Sequence, residues 1–467
     1  MAKIEKQPKW LIVDGDGKPK NINHLLLAET ILKKHPIKVV PFGNDFNYYS
    51  YNGVNWEDTK KERALLNAKR YAMDYLKEVD FYSVKRMEDT AKTVIIKAQL
   101  QYNPFIKQKT DRVAFKNGTY LLKSGEMLGV NVPTDYLVNG HDYEARPEGT
   151  TTNINVWGKY IFGPSWEYVK EIVGYAFIPE QHTFNTLTII LDEIGGTGKS
   201  YFISRIILPL IGKANLVAKD IDTLTGSNGK SSRFGTVDFI GKLANIHLDI
   251  PDTVISTPDA LKTITGGDVV EVEGKGTNAI SVELYAKLIF ATNSRPKIAM
   301  SSALAQRIHL VPVVAPKVRD NPQEAEKRSK KWSESKAVKE IGSFAIECIE
   351  AFKQARDIGH LTVNDEIKEL TEAWAIEQDL VTLFLSEAKT PLPEGADGGI
   401  KKGTAYARFR DWLVDNKQQS KIKERQFNKK LELLGYIGAK TRNHPEGDTE
   451  NPQASWLGLD LKKYTKE

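Results

Sequence analysis

The stretch "LDEIGGTGKS" at residues 191–200 concentrates the residue types that hold phosphate oxygens. Gly195, Gly196 and Gly198, with Thr197 among them, let backbone N–H groups turn inward around anionic oxygens. Lys199 can pair with the β and γ phosphates of ATP, and the Ser200 hydroxyl can bind Mg²⁺ where a helix begins. The pattern G-x-x-x-x-G-K-[ST] asks for glycine six residues before the lysine, and this chain has Glu193 there. A glycine-rich turn between core elements is the alternative.

Hydrolysis needs a second acidic group at the end of a neighbouring strand. "KLANIHLDIPD" ends an apolar run in Asp249, the expected metal or catalytic carboxylate. Asp252 reads as a helix or turn cap, and His247 as packing. "AKLIFATN" ends in Asn293, placed to reach the γ-phosphate or the attacking water, or else to cap a turn. "ALAQRIHLVPV" offers Arg307 as an arginine finger acting across a subunit interface, or as an ordinary surface arginine. Between the second and third strands, alternation around Gly274-Lys275-Gly276 reads as a hairpin. Lys275 at its tip is either a grip on a nucleic-acid phosphate or an exposed loop lysine.

These residues need a framework. "TLTIILD", "KLANIHLDI" and "AKLIFATN" are buried strands alternating with helices over 199–211 and 258–265, which argues a parallel α/β sheet. Before it, residues 1 to about 40 read as a lead-in, "NYYSYNGVNW" as a hairpin at Asn52-Gly53, and about Thr59 to Gln101 as a long helical stretch. "VAFKNGTYLLKSGEMLG" adds two strands, so this part is an α+β module. Residues 317–336 are highly charged without an apolar face and read as a solvated linker or exposed helix. Helices follow to about Leu385.

The last part is basic. Between Lys401 and Arg442 there are twelve Lys and Arg against four acids. "TAYARFRDWLVDN" and "KERQFNKKLELLGY" are amphipathic helices, and "YIGAKTRN...ASWLGL" a strand-loop-strand wing, so the unit reads as a winged helix-turn-helix. Lys423, Arg425, Lys429 and Lys430 face outward to enter a major groove, and Lys440 and Arg442 would meet backbone. A helical cap with a solvated basic face is the alternative.

Composition bounds the rest. The chain has 467 residues, 40% hydrophobic and 27% charged, with a net charge of +6 and one cysteine. The length suggests two to four domains. No apolar run approaches the roughly 18 residues of a membrane span, and Met1 to Trp10 lacks a signal-peptide pattern. Cys348 excludes an intramolecular disulfide and reads as a small core residue. A cytoplasmic protein without membrane contact is the expectation.

In order and spacing, the aromatic hairpin ending in Trp56, "VAFKNGTYLL", "VPTDYLV", "EIVGYAF", the glycine-rich loop, "GKLANIHLDIPD", "LKTITGGD", "KLIFATN" and "QRIHLVP" resemble a superfamily 3 AAA+ helicase of the phage, plasmid and poxvirus primase-helicase type. "GHLTVNDEIKELTEAWAIEQDLVTLFL" resembles that family's segment after its ATPase domain. The resemblance implies a multidomain α/β protein. Its parts would be an N-terminal α+β module (1–150), an AAA+ ATPase core (151–316), a helical linker (317–385) and a C-terminal winged helix (386–467). It also implies a hexameric, ATP- and Mg²⁺-driven translocase moving 3′ to 5′ on single-stranded DNA at a mobile-element origin. Carried over, Lys199 and Ser200 bind phosphates and Mg²⁺, Asp249 is the second acidic motif, Asn293 the sensor, Arg307 the finger and Lys275 the DNA-contacting tip. Glu193, and a single Asp249 where relatives often have Glu or an acidic pair, depart from the family pattern.

"VDGDG" holds Asp14 and Asp16, an Asp-x-Asp pair that could bind metals. The stretch before the aromatic hairpin, about 40 residues, is far short of the ~100 of an ordinary domain, and Asp-Gly-Asp-Gly is a turn signal. Priming would therefore need a separate primase or other replication protein as partner. Two other functions compete with the helicase: an origin-binding initiator that uses ATP to assemble on and melt DNA, and an ATPase that remodels protein and only docks on DNA.

Overall fold

The computed structural model describes residues 7–225, 237–250, 254–255, 259–272, 280–298, 302–377, 380–391, 398–416, 420 and 422–463. A five-stranded parallel sheet lies at its centre, in the order Leu216–Val217, Ala244–His247, Lys287–Thr292, Leu187–Leu191, Ile308–Pro312. Both faces are covered, which explains why its strands are mostly apolar, although Thr188, Asn245, Lys287 and Thr292 are buried among them. Alternate residues serve opposite cores. Leu187, Ile189 and Leu191 join Leu288, Phe290, Ile308 and Leu310 on one face. Ile190, Ile289, Ala291 and Val311 face the other, against Trp166–Tyr175 and Ile341–Ile358. Full burial of each such Leu or Ile contributes about 1.5–3 kcal/mol. Cys348 sits in this second core, as expected, and burial pushes its thiol well above the usual range.

The helix expected over 199–211 opens as Lys199–Phe202, widens into a π turn at Ile203–Ile207 and closes as Leu208–Ile211. Pro209 has no N–H to give the preceding turn, and the helix changes its hydrogen-bond spacing at that point. The hairpin strands Val269–Val272 and Ile280–Glu283 pair antiparallel, with Val272 opposite Ile280. Lys275 and Asp252 lie outside the described residues.

Residues 7 to 40 are more than a lead-in. Leu11–Val13 and Pro19–Ile22 form a hairpin turned by Asp14, whose Oδ1 accepts from the N–H of Asp16 and Lys18 at 3.0 and 2.9 Å. The helix His24–Lys34, capped by Asn23, buries Leu27, Ala28 and Ile31 in one core with Trp10 and with Lys61–Glu78 and Val84–Lys97. Those two replace the single stretch expected from Thr59 to Gln101. The chain turns at Asp80, with φ +53, and Ser83 starts the second helix by accepting from the Arg86 N–H.

The basic C-terminal unit has its own core. Phe384, Phe409, Trp412, Phe427, Leu431 and Trp456 pack between the helices Leu380–Ala388, Lys402–Asp415 and Glu424–Leu433 and a small antiparallel sheet. That sheet runs Gly399–Lys401, Gln453–Leu457, Gly438–Thr441. The chain is thus a multidomain α/β protein. Among the described residues no helix is long and apolar enough to cross a membrane.

Candidate functional site

Strand register assembles the site. Leu191 lies against Thr292 in the parallel ladder, and the Asp192 N–H donates to the Thr292 carbonyl at 2.9 Å. The glycine-rich loop and Asn293 therefore emerge side by side at the C-terminal edge of the sheet. From Leu191 the chain crosses to the Leu216–Val217 edge, and from Thr292 it crosses the other way, to Ile308–Pro312. Such a divergence is where open α/β sheets hold ligands.

Asp192, buried at 2% exposure, organises the loop. Its Oδ1 accepts the Gly195 N–H at 2.9 Å and its Oδ2 the Thr197 hydroxyl at 2.7 Å. Gly195, Gly196 and Gly198 have φ of +67, +69 and +95, a region that side chains with a Cβ rarely enter. Glu193 is not among the positive-φ residues, so its backbone makes no demand for glycine. Its carboxylate pairs with Arg295 Nε at 2.8 Å, just past the strand Lys287–Thr292.

Lys199 reaches across to that strand. Its Nζ donates to the Thr292 carbonyl at 2.6 Å and to Asn293 Oδ1 at 3.0 Å. Burial lowers its pKa from 10.5 to about 8, against the opposing pull of Asp192 and Asp249. Asp249 follows the strand Ala244–His247, is exposed, and among the described residues its carboxylate makes no hydrogen bond or ion pair. His247 Nδ1 faces the Asp249 carbonyl.

A cavity of about 580 Å³ opens here, walled by the loop, Ser200 and Asn293. Lys317, Arg319 and Arg328, from the segment read as a solvated linker or exposed helix, complete its lining. The helix Pro322–Lys331 in that segment buries none of its residues fully, which is why its sequence carries no apolar face. Charge density was its only signal. Asp192 had a subtler one: an acid directly after the apolar run "IIL" that ends its strand. A cation-lined cavity beside a loop whose Gly196, Thr197 and Gly198 N–H groups make no hydrogen bond among the described residues is suited to a multiply charged anion.

Arg307 stands at the other end of the sheet. Its carbonyl accepts the Leu187 N–H at 2.7 Å, so the five-residue strand, roughly 13 Å long, separates it from the glycine-rich loop. Its Nη1 donates to the Lys262 carbonyl at 2.6 Å and to Thr265 Oγ1 at 3.1 Å. Among the described residues no group of three His, Cys, Asp or Glu could hold a metal ion unaided.

In the C-terminal unit Phe427 and Leu431 are buried, while Lys423, Arg425 and Lys429 are exposed and Lys430 is partly so, around the same helix. Lys440 and Arg442 are exposed on or beside the strand Gly438–Thr441. Arg408 is a different case. It is buried, pairs with Asp460 at 3.2 Å and with Glu446, and is part of the framework.

Residues 191–307 match a family of unknown function, DUF5906. No curated protein matches the chain. Among solved structures, one of the NrS-1 C-terminal region is similar with 12% identity and a TM-score of 0.46, over 75% of each chain. Two further structures of that region are similar at 11% and 12% identity, with TM-scores of 0.45 and 0.44. They cover 94% and 93% of this chain and 100% of theirs. Likenesses this distant say nothing of activity, and the function has to be read from the site itself.

Proposed function

We propose that the chain is an ATP- and Mg²⁺-dependent DNA helicase of the replicative, superfamily 3 type. It would combine an AAA+ core with a winged-helix DNA-binding domain and work as a hexameric ring moving 3′ to 5′ on single-stranded DNA at an origin. The observation that carries this is Lys199, held between the glycine-rich loop and Asn293 by bonds to Thr292 and Asn293. That arrangement serves phosphoryl transfer, in which positioned charge does most of the catalysis.

Each residue then has a task. The N–H groups of the loop cradle the phosphates, and Lys199 offsets charge developing on the γ-phosphoryl group. Asn293 orients the attacking water. A nucleotide-borne Mg²⁺ needs only one or two protein oxygens, because phosphates and water supply the rest. Ser200 lines the cavity and Asp249 has an uncommitted carboxylate, so both fit that role. Asp192 does not, since both its oxygens serve the loop. Arg307, at the far end of the sheet, acts on a neighbouring subunit. Lys275 contacts single-stranded DNA, and the basic face of Glu424–Leu433 with Lys440 and Arg442 contacts duplex. A separate primase would supply primers.

The test is unwinding of a 3′-tailed fork by the wild type and by Lys199→Ala, at matched protein, salt, ATP and Mg²⁺. Unwinding lost only in the variant supports the proposal; unwinding by both refutes it. Good DNA binding without unwinding by either replaces it with the origin-melting initiator, a reading that the separate basic C-terminal unit also favours.

A further inference from the structure

We infer that a second cavity, between the aromatic hairpin and the N-terminal edge of the parallel sheet, is a binding site for a lysine or arginine side chain on a basic peptide of a partner protein. The inference is independent of how the glycine-rich loop is used, because that loop lies at the other end of the sheet. The hairpin strands Asp45–Tyr51 and Trp56–Thr59 pair with Tyr49 opposite Asp58 and Tyr51 opposite Trp56. Alternation along a strand puts Asn47, Tyr49, Trp56 and Asp58 on one face. That face closes over Ala214, Lys242 and Tyr285, each of which shortly precedes a strand of the sheet. The space between holds about 590 Å³, within the roughly 300–1,000 Å³ of ligand sites. Bonds across the same seam fix its shape. The Tyr285 hydroxyl donates to Asn139 Oδ1 at 3.1 Å, and Asn139 Nδ2 donates to the Gly241 carbonyl at 2.9 Å.

The walls select the ligand. Phe42, Tyr49, Trp56, Phe105 and Tyr285 line the cavity. Phe105 stacks on Tyr49 at 3.9 Å between ring centres and meets Trp56 edge-on at 5.5 Å. Aromatic walls attract an organic cation, and more strongly where water is excluded. The charged lining is Glu57, Asp58, Asp238 and Glu283 against Lys242 alone. Asp238 is paired with Lys219 at 2.6 Å and Glu283 with His182 at 2.7 Å, whereas Asp58 makes no hydrogen bond or ion pair among the described residues. Burial among these walls raises its carboxyl above the usual range against the pull of Lys242, as for an acid short of countercharge. A phosphate chain would meet that negative surplus, so nucleic acid is a poor occupant. Nor are the nearby amides free to read a base edge: Asn55 Nδ2 donates to the Val138 carbonyl at 2.7 Å and Asn103 Nδ2 to that of Pro41 at 3.1 Å. A basic side chain answers both features, with its charge beside Asp58 and its alkyl stem along the rings. Val282 and Glu283 complete the lining from the strand Ile280–Glu283, which leads into Lys287–Thr292 and so to Asn293. A peptide held here bridges the N-terminal hairpin and the sheet.

The experiment uses the full chain as wild type, Asp58→Asn, Lys242→Gln and, as a control at an exposed acid outside the cavity, Glu126→Gln. The probe is a short Gly-Arg repeat peptide carrying a neutral fluorophore, compared with the same peptide holding citrulline for arginine, at physiological salt. Thermal unfolding is followed in parallel. The arginine peptide should bind saturably and the citrulline peptide at least about tenfold more weakly, since the charge is lost while the shape is kept. Asp58→Asn should weaken the arginine peptide about tenfold to a hundredfold. Lys242→Gln should tighten it severalfold by removing the opposing cation, and Glu126→Gln should leave it unchanged. Binding of a short oligothymidylate should be the same in Asp58→Asn as in the wild type. No saturable binding, equal binding of the two peptides, or equal effects of Asp58→Asn and Glu126→Gln would overturn the inference. So would a changed oligothymidylate affinity in Asp58→Asn with peptide binding untouched, which would give the cavity to single-stranded DNA. Should Asp58→Asn unfold early, the direction of the Lys242→Gln effect decides.

Discussion

Removing Arg295 should weaken ATP binding through a residue that touches no phosphate. Glu193 occupies the position where phosphate loops carry glycine, and the Arg295 guanidinium holds its carboxylate at 2.8 Å. The two side chains are 51% and 34% exposed, so the pair itself contributes only about 0.2–1 kcal/mol to stability. The fold should survive Arg295→Ala. The larger effect is electrostatic. A released carboxylate roughly 7 Å from Mg-nucleotide of charge about −2, at an effective dielectric of about 60, costs about 1.6 kcal/mol. That corresponds to a Kd raised about tenfold. The assay is titration with a fluorescent ATP analogue at low salt, where screening is least, repeated at high salt, where the difference should shrink. Arg295→Ala combined with Glu193→Gly should return to wild-type affinity, because the offending charge is gone and the backbone there accepts either residue. Wild-type binding by Arg295→Ala alone, or no rescue by the double variant, would refute the reasoning.

Other expectations concern separate parts of the molecule. Lys199 titrates near pH 8 in the free protein, and bound phosphate favours its charged form, so ATP affinity should fall as pH rises from about 8 toward the ordinary lysine value. Lys199→Arg should flatten that profile, and a flat wild-type profile from pH 7 to 9.5 would contradict the assignment. For stability the sign is that the cost of burying the charged ammonium is present in full below pH about 8 and relieved between there and 10.5. Arg425→Ala with Lys429→Ala should weaken duplex binding and reduce the slope of log K against log salt by about 1.8, with ATP turnover kept; unaltered affinity and slope would remove this helix from the DNA interface. Arg408→Ala should instead destabilise the C-terminal unit by about 3 kcal/mol, by leaving the largely buried Asp460 without its ion pair and Glu446 with Lys463 alone, read as a lowered or lost thermal transition. Arg307→Ala should keep nucleotide binding but lose turnover, and small amounts should poison wild-type assemblies more than in proportion; simple dilution kinetics would rule out action across an interface.

How much of this was legible in advance follows from which interactions are local. The parallel sheet was, because a strand covered on both faces is predominantly apolar, as the middles of "TLTIILD", "KLANIHLDI" and "AKLIFATN" are. So were the conformations of Gly195, Gly196 and Gly198, and the turn at Asp14, since glycine's freedom and the reach of an Asp side chain act within a few residues. The basic helix Glu424–Leu433 announced its buried side through Phe427 and Leu431. Charge counting went astray at Arg408, whose partners Glu446 and Asp460 lie far along the chain. The break between Lys61–Glu78 and Val84–Lys97 was missed because the helical periodicity runs on past it.

Only the tertiary structure decided which residues share the cavity. Strand register, Leu191 against Thr292, sets Asn293 beside Lys199 and places Arg307 at the opposite end. The fate of Glu193 depends on Arg295, and Arg328 reaches Thr197 from the far side of the sheet's last strand. A charged helix has the same sequence pattern whether its cations face water or an anion site. What distinguishes the two is the surface that the chain's return path lays against it, and that path is set by packing between segments distant in sequence.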